Sequence, residues 1–118
     1  MLTPRFNMQH EDRVRIQHML DACSEAGRFV AGRVRSDLES DRMLLFALIR
    51  CIEIIGEAAS RVSDAGKAET PYIPWRSVIA MRNRLIHGYF DVDPNTVWIT
   101  VTEELPALSR LLMRIVSQ

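Results

Sequence analysis

The sequence has no excess of either charge. Its 118 residues carry 15 basic and 15 acidic side chains, for a formal net charge of zero. A protein that coats nucleic acid through charge alone needs a clear basic surplus, so that class is excluded, although a small basic cleft is not. Cysteine is scarce. Cys23 and Cys51 both fall in apolar helical patterns and read as small buried side chains rather than as a disulfide or a ligand pair. That usage suggests a reducing compartment. Long apolar runs are missing too. The longest, residues 43–49, is far too short to cross a bilayer, and the N-terminus has no apolar stretch of the signal-peptide kind. A cytoplasmic protein without a membrane span is expected. No segment alternates apolar and polar residues long enough for a core strand, and no internal repeat or low-complexity tract appears. There is no Gly-rich phosphate loop, Cys-x-x-Cys or Gly-x-Ser-x-Gly element. His10 and His18 stand far from any acidic or cysteine cluster, so neither a metal nor a cofactor is expected.

What is present is helical. The hydrophobic content of 47% can supply a core, and the length fits one domain over residues 1–118. Residues 1–7 read as a frayed lead-in. Over residues 8–33, Ile16, Met19, Leu20, Cys23, Ala26, Phe29 and Val30 recur in steps of three and four, one stripe of a helix weakened at its end by Gly27 and Gly32. Ser36 and Glu39 have the spacing of a capping box, which starts a second helix there or a few residues later and carries it to about Asp64. Its inward set is Leu44, Ala47, Leu48, Cys51, Ile54, Ile55, Ala58 and Val62. Its first half is apolar almost all round, so it belongs at the centre of a bundle or on a face shared with a second subunit. Gly66, Pro71 and Pro74 mark residues 65–74 as a connection. Pro74 opens a third helix, residues 75–87, with Gly88 as its left-handed stop. Val78, Arg82, Leu85 and Tyr89 share one stripe of it. Asp93-Pro94 restarts the chain as a fourth helix running to about Val116. Val97, Val101, Leu105, Leu108 and Leu112 face inward, and Pro106 is expected to kink it. The fold class is all-α, an antiparallel bundle of four to five helices. Trp75 and Trp98 read as packing residues.

The chemistry concentrates in residues 81–91. Arg82, Asn83, Arg84, His87 and Tyr89 fall within eight residues, and no acidic residue occurs between Glu69 and Asp91. Arginines hold a phosphate and an imidazole moves a proton. On an ideal helix Asn83 and His87 share a stripe, whereas Arg82 and His87 are about 140° apart. Either the helix unwinds near Gly88, or two copies face each other across a dimer axis and share a cleft. His87 reads as a proton-transfer residue or as a helix C-terminal cap. Tyr89 reads as a wall of the site or as a core aromatic. Arg84 is a solvated charge or an RNA contact. Glu53 and Glu57 lie one turn apart on the second helix, placed to support Arg82 or Arg84 by ion pairs across a subunit interface.

Arg82-Asn83-x3-His87 resembles the Arg-polar-x3-His motif of the HEPN ribonuclease superfamily. The string 81–90, with Ile73-Pro74-Trp75 before it and Val92-Asp93-x3-Val97-Trp98 after it, is similar to the HepT-like branch, as is Glu53-Ile54-Ile55-Gly56-Glu57-Ala58. The likeness covers roughly residues 44–105. It implies a homodimeric all-α HEPN bundle with the two motifs near the interface. The implied activity is metal-independent endoribonuclease cleavage by the toxin of a toxin–antitoxin pair. Arg82 binds the scissile phosphate and His87 is acid or base for attack by the ribose 2′-OH, which leaves a 2′,3′-cyclic phosphate. Asn83 orients the phosphate or His87. The implied antitoxin is a minimal, MntA-like nucleotidyltransferase that silences the toxin by AMP transfer to Tyr89. The rival reading is a non-catalytic helical dimer that serves as the binding or accessory subunit of a nucleotidyltransferase.

Overall fold

Helix formation follows the apolar stripes closely at both ends of the chain and departs from them in the middle. The structure is a computed structural model that describes residues 8–87 and 91–117, the side chains of Ile86 and His87 excepted. Helix α1 spans His10–Val30 and buries Ile16, Met19, Leu20, Cys23 and Ala26, five of the seven stripe positions. Phe29, expected inside, is 40% exposed. The helix stops where Gly32 takes a φ of 73°, a left-handed turn that residues with a Cβ rarely adopt.

The second helix does not begin at Ser36. That residue is itself helical in conformation and its side chain caps nothing. A single turn, α2 (Asp37–Ser40), intervenes, and α3 then covers Arg42–Ser60. The cap is Asp41, which is extended and accepts the Leu44 N–H at 3.1 Å. Arg33 donates to Asp41 at 2.7 Å and to Asp37 at 3.3 Å, tying the corner together. The Arg33 guanidinium first, and the Leu44 N–H second, hold the Asp41 carboxyl below the usual carboxylate range.

α3 is the central helix, packed along α1 and against the segments that follow it. Leu48, Ile52 and Ile55 are fully buried, whereas Ala47 and Ile54 are only half-buried. Its cover is incomplete: Met43 is 84% and Phe46 is 52% exposed, so the face that is apolar all round is not enclosed all round. Both cysteines are free and buried, as their pattern suggested. Burial pushes the Cys23 thiol up to about 12, so it is not a reactive nucleophile at neutral pH.

The connection after α3 contains one more short helix, α4 (Asp64–Glu69), where the sequence suggested none. Its cap explains it. The Ser63 hydroxyl accepts the Gly66 N–H at 3.0 Å and donates to Asp12 of α1 at 2.6 Å, and Asp12 also accepts the Ser63 N–H at 2.9 Å. Asp12 is only 4% exposed. Asp12→Ala strands two part-buried donors of Ser63 and is expected to cost about 1 kcal/mol or more of folding stability, readable by urea unfolding. A loss below about 0.5 kcal/mol would mean that water replaces the carboxylate.

Pro74 caps α5 (Trp75–Ile79), and buried Trp75 donates its indole N–H to the Thr70 carbonyl at 3.2 Å. The expected helix over residues 75–87 is not continuous. After Ile79 the chain tightens into a 3₁₀ helix, Met81–Leu85, and then into β1 (Ile86–His87). β1 pairs antiparallel with β2 (Asp91–Val92), His87 opposite Asp91. The Leu85 carbonyl is taken by the Asp93 N–H at 2.8 Å, so it is drawn into the bend rather than into a helical ladder. The proposed stop at Gly88 lies outside the described residues.

Asp93 caps the last rod as expected, accepting the Asn95 N–H at 3.0 Å. The rod has three parts: α6 (Pro94–Ile99), a π-helical turn (Thr100–Glu104) and α7 (Leu105–Val116). All five residues expected inside are buried. Pro106 acts through the π turn: it has no N–H to give, and the Leu105 N–H reaches back to the Thr100 carbonyl instead. The fold is an all-α bundle with one minimal strand pair at the functional segment. Among the described residues no helix is long and apolar enough to cross a membrane.

Candidate active site

The 3₁₀ helix sets which way the three polar residues of the motif face. Met81 and Leu85 are buried and anchor it, and Arg82, Asn83 and Arg84 are exposed between them. Arg82 and Asn83 border an open cleft of about 430 Å³ whose other walls are Glu53, Gly56, Glu57 and Ser60 of α3, with Ile79 of α5. Arg84 points elsewhere. It donates to Glu104 of the π turn at 3.2 Å and borders a separate, largely apolar hollow of about 210 Å³ with Val78, Met81 and Leu108. Within the chain, then, it is Arg82 and not Arg84 that meets a glutamate of α3.

The cleft lies where α3 meets α5 and the start of the 3₁₀ helix. A Cβ on Gly56 would stand 3.4 Å from the Ile79 carbonyl oxygen, at van der Waals contact. That approach brings the start of the 3₁₀ helix over α3. The Arg82 Nε–H donates to Glu53 Oε2 at 2.8 Å. The sequence suggested such a pair between subunits; it forms within one chain. Arg82 is 50% exposed and Glu53 28%, so the pair is partly shielded but open to solvent on the guanidinium side. A guanidinium has five N–H donors, and this contact uses one. The remainder can meet a phosphate.

Asn83 shares the cleft with Arg82 and supplies a neutral donor and acceptor. Glu57 lines it one turn beyond Glu53. The backbone of His87 lies in β1, at the end of the segment that carries Arg82. Asn83 and His87 do not share a helical stripe, because the chain is no longer helical at residue 87. The His87 imidazole, and Tyr89 altogether, lie outside the described residues. Ser60, Gly56 and Ile79 were not singled out from the sequence. The signal was there: Glu53, Gly56, Glu57 and Ser60 follow i, i+3, i+4, i+7 spacing, a polar stripe on an otherwise apolar helix. Among the described residues no group of three His, Cys, Asp or Glu side chains is placed to hold a metal ion.

Comparison with known proteins bears on what this cleft does. The family model described as ribonuclease HepT-like matches residues 19–115. A protein of Thermococcus cleftensis named "Probable ribonuclease HepT" is 46% identical over 72 residues, covering 61% of this chain and 66% of that relative. A protein of Caldanaerobacter subterraneus that bears an RNase name is 31% identical over 103 residues, 87% of this chain and 92% of the relative. A third, from Methanocaldococcus jannaschii and likewise named as an RNase, is 36% identical over 77 residues, 65% of this chain and 66% of its own length. No solved structure matches the chain. The matched segment takes in α3, the Arg82–Glu53 cleft and the strand that bears His87, and on that match the chain belongs to the HepT-like ribonuclease family.

Proposed function

We propose that this protein is an endoribonuclease that cuts RNA without a metal, with Arg82 and His87 as its catalytic residues. The observation that carries the reading is Arg82, anchored through Nε in the wall of an open cleft, five residues before His87 in a chain of a ribonuclease family. In the reaction the ribose 2′-oxygen attacks phosphorus and gives up its proton. The bond from phosphorus to the 5′-oxygen breaks, and that oxygen takes a proton. The products are a 2′,3′-cyclic phosphate and a 5′-hydroxyl. His87 is the acid or the base in this exchange. Arg82 binds the phosphate and neutralises the charge that grows on it, and Asn83 orients one or the other.

The biological reading that goes with it is a toxin. It works as a homodimer, and a minimal nucleotidyltransferase holds it in check by AMP transfer to Tyr89. Exposed Met43 and Phe46 on α3 supply an apolar face for a second protein surface. That face also favours the second reading, a non-catalytic partner subunit of a nucleotidyltransferase. Incubation of the purified protein with total RNA in EDTA, followed by mapping of the new ends, separates the two. Discrete cuts ending in cyclic phosphate are expected. Intact RNA, together with tight binding to the nucleotidyltransferase, would establish the subunit reading instead.

A further inference from the structure

We propose that Glu53 is a positioning residue for the cleavage reaction: it holds the Arg82 guanidinium by Nε so that the two terminal Nη groups face the cleft and meet the phosphate end-on. The inference rests on the reading of Arg82 as phosphate ligand. Three observations carry it. The contact is short, 2.8 Å, and runs to Nε, the donor farthest from the tip. Glu53 is the better shielded partner, at 28% exposure against 50% for Arg82, so the carboxylate is the fixed member and the guanidinium the presented one. Finally, the helix that carries Glu53 packs against α5 and against the 3₁₀ helix that carries Arg82, so the carboxylate stands on a packed wall of the cleft.

A free arginine side chain must give up several rotamers when it grips an anion, and a neighbour that fixes it beforehand removes part of that cost. A carboxylate beside a phosphate site also repels the phosphate. The two effects have opposite signs, and Glu57 tells them apart. It lines the same cleft one turn on, and no ion pair to Arg82 joins it there. Glu57→Gln removes one negative charge without touching the Arg82 contact and is expected to tighten RNA binding. Glu53→Ala removes the same charge together with the contact and is expected to weaken it.

The test uses the full chain and a single-stranded RNA that the wild type cuts. Glu53→Ala is expected to lower single-turnover cleavage about 2- to 10-fold, the range set by immobilising one long side chain. Glu53→Gln, which keeps an acceptor for Nε–H, is expected to recover most of that loss. The melting temperature should move little, since half-exposed ion pairs add little stability. On an Arg82→Ala background the Glu53→Ala change is expected to add nothing, because its effect passes through the arginine. The Arg82 Nε–H resonance should be sharp in the wild type and broadened in Glu53→Ala. Binding of a fully 2′-O-methylated RNA gives the same comparison without cleavage. Fully additive losses in the double variant, or tighter RNA binding by Glu53→Ala, would overturn the inference. A wild type that leaves all RNA intact sinks the ribonuclease reading instead, and the resonance and the binding comparison still decide the role of Glu53.

Discussion

His87→Ala is expected to leave the fold intact and to slow RNA cleavage by about 10²–10⁴-fold, the usual contribution of one positioned acid or base. The fold is expected to survive because backbone groups tie this segment to its neighbours. β1 pairs with β2 through main-chain groups, and the Leu85 carbonyl is held by the Asp93 N–H. An alanine keeps all of these bonds. The activity falls because His87 is the one histidine between residues 70 and 90, and an alanine in its place carries no proton. His87→Gln is the sharper form of the test, since it keeps polarity and size but cannot titrate near neutrality. Both variants should retain the wild-type melting curve and both should fail to produce cyclic phosphate ends. Cleavage at the wild-type rate by either would remove His87 from the mechanism. The fall of His87 alone would still leave the Arg82 cleft as an RNA-binding site.

Much of the bundle was legible, and the failures share one cause. The stripes of α1 and of the last rod named the buried residues almost without error, because a helix buried on one side repeats its apolar positions every three to four residues. Asp93 and Pro94 announced their cap because both signals are local. The third helix failed because its end is decided elsewhere. Met81 and Leu85 are spaced as well for an α-helix as for the tighter turn that forms, and nothing local separates the two. The choice is made by a carbonyl that bonds eight residues ahead, at Asp93. The capping box at Ser36 failed in the same way: a stronger cap, Asp41, is locked by Arg33 from the preceding loop. The candidate site follows this rule. The residue types were readable as phosphate chemistry. The sequence left open which of Glu53 and Glu57 meets Arg82 or Arg84, and the intrachain Arg82–Glu53 pair depends on how α3 packs beneath the 3₁₀ helix, which is a tertiary fact.

Arg82→Ala is expected to lower kcat by about 10²–10³-fold, the loss seen when one preorganised donor to a developing oxyanion is removed. Arg82→Lys is the more instructive variant. A lysine keeps the charge but offers it as one compact ammonium, whereas the guanidinium spreads its donors over a planar fork. In this cleft the fork has two tasks. Its Nε end is held by Glu53 at 2.8 Å, and in the proposed reaction its Nη end meets the phosphate. An ammonium that binds Glu53 has no second end to present, and one that binds phosphate abandons Glu53. Lysine should therefore rank between arginine and alanine in rate, nearer to alanine. In RNA binding the two variants should part company. Each phosphate contact by a cation contributes about 0.7 to the slope of log K against log salt on a single strand. Alanine should reduce that slope by about this amount, and lysine should leave it nearly unchanged while the cleavage rate falls. A salt slope that is the same for all three side chains, with rates within a few-fold of one another, would mean that Arg82 serves the fold through Glu53 and does not touch the RNA.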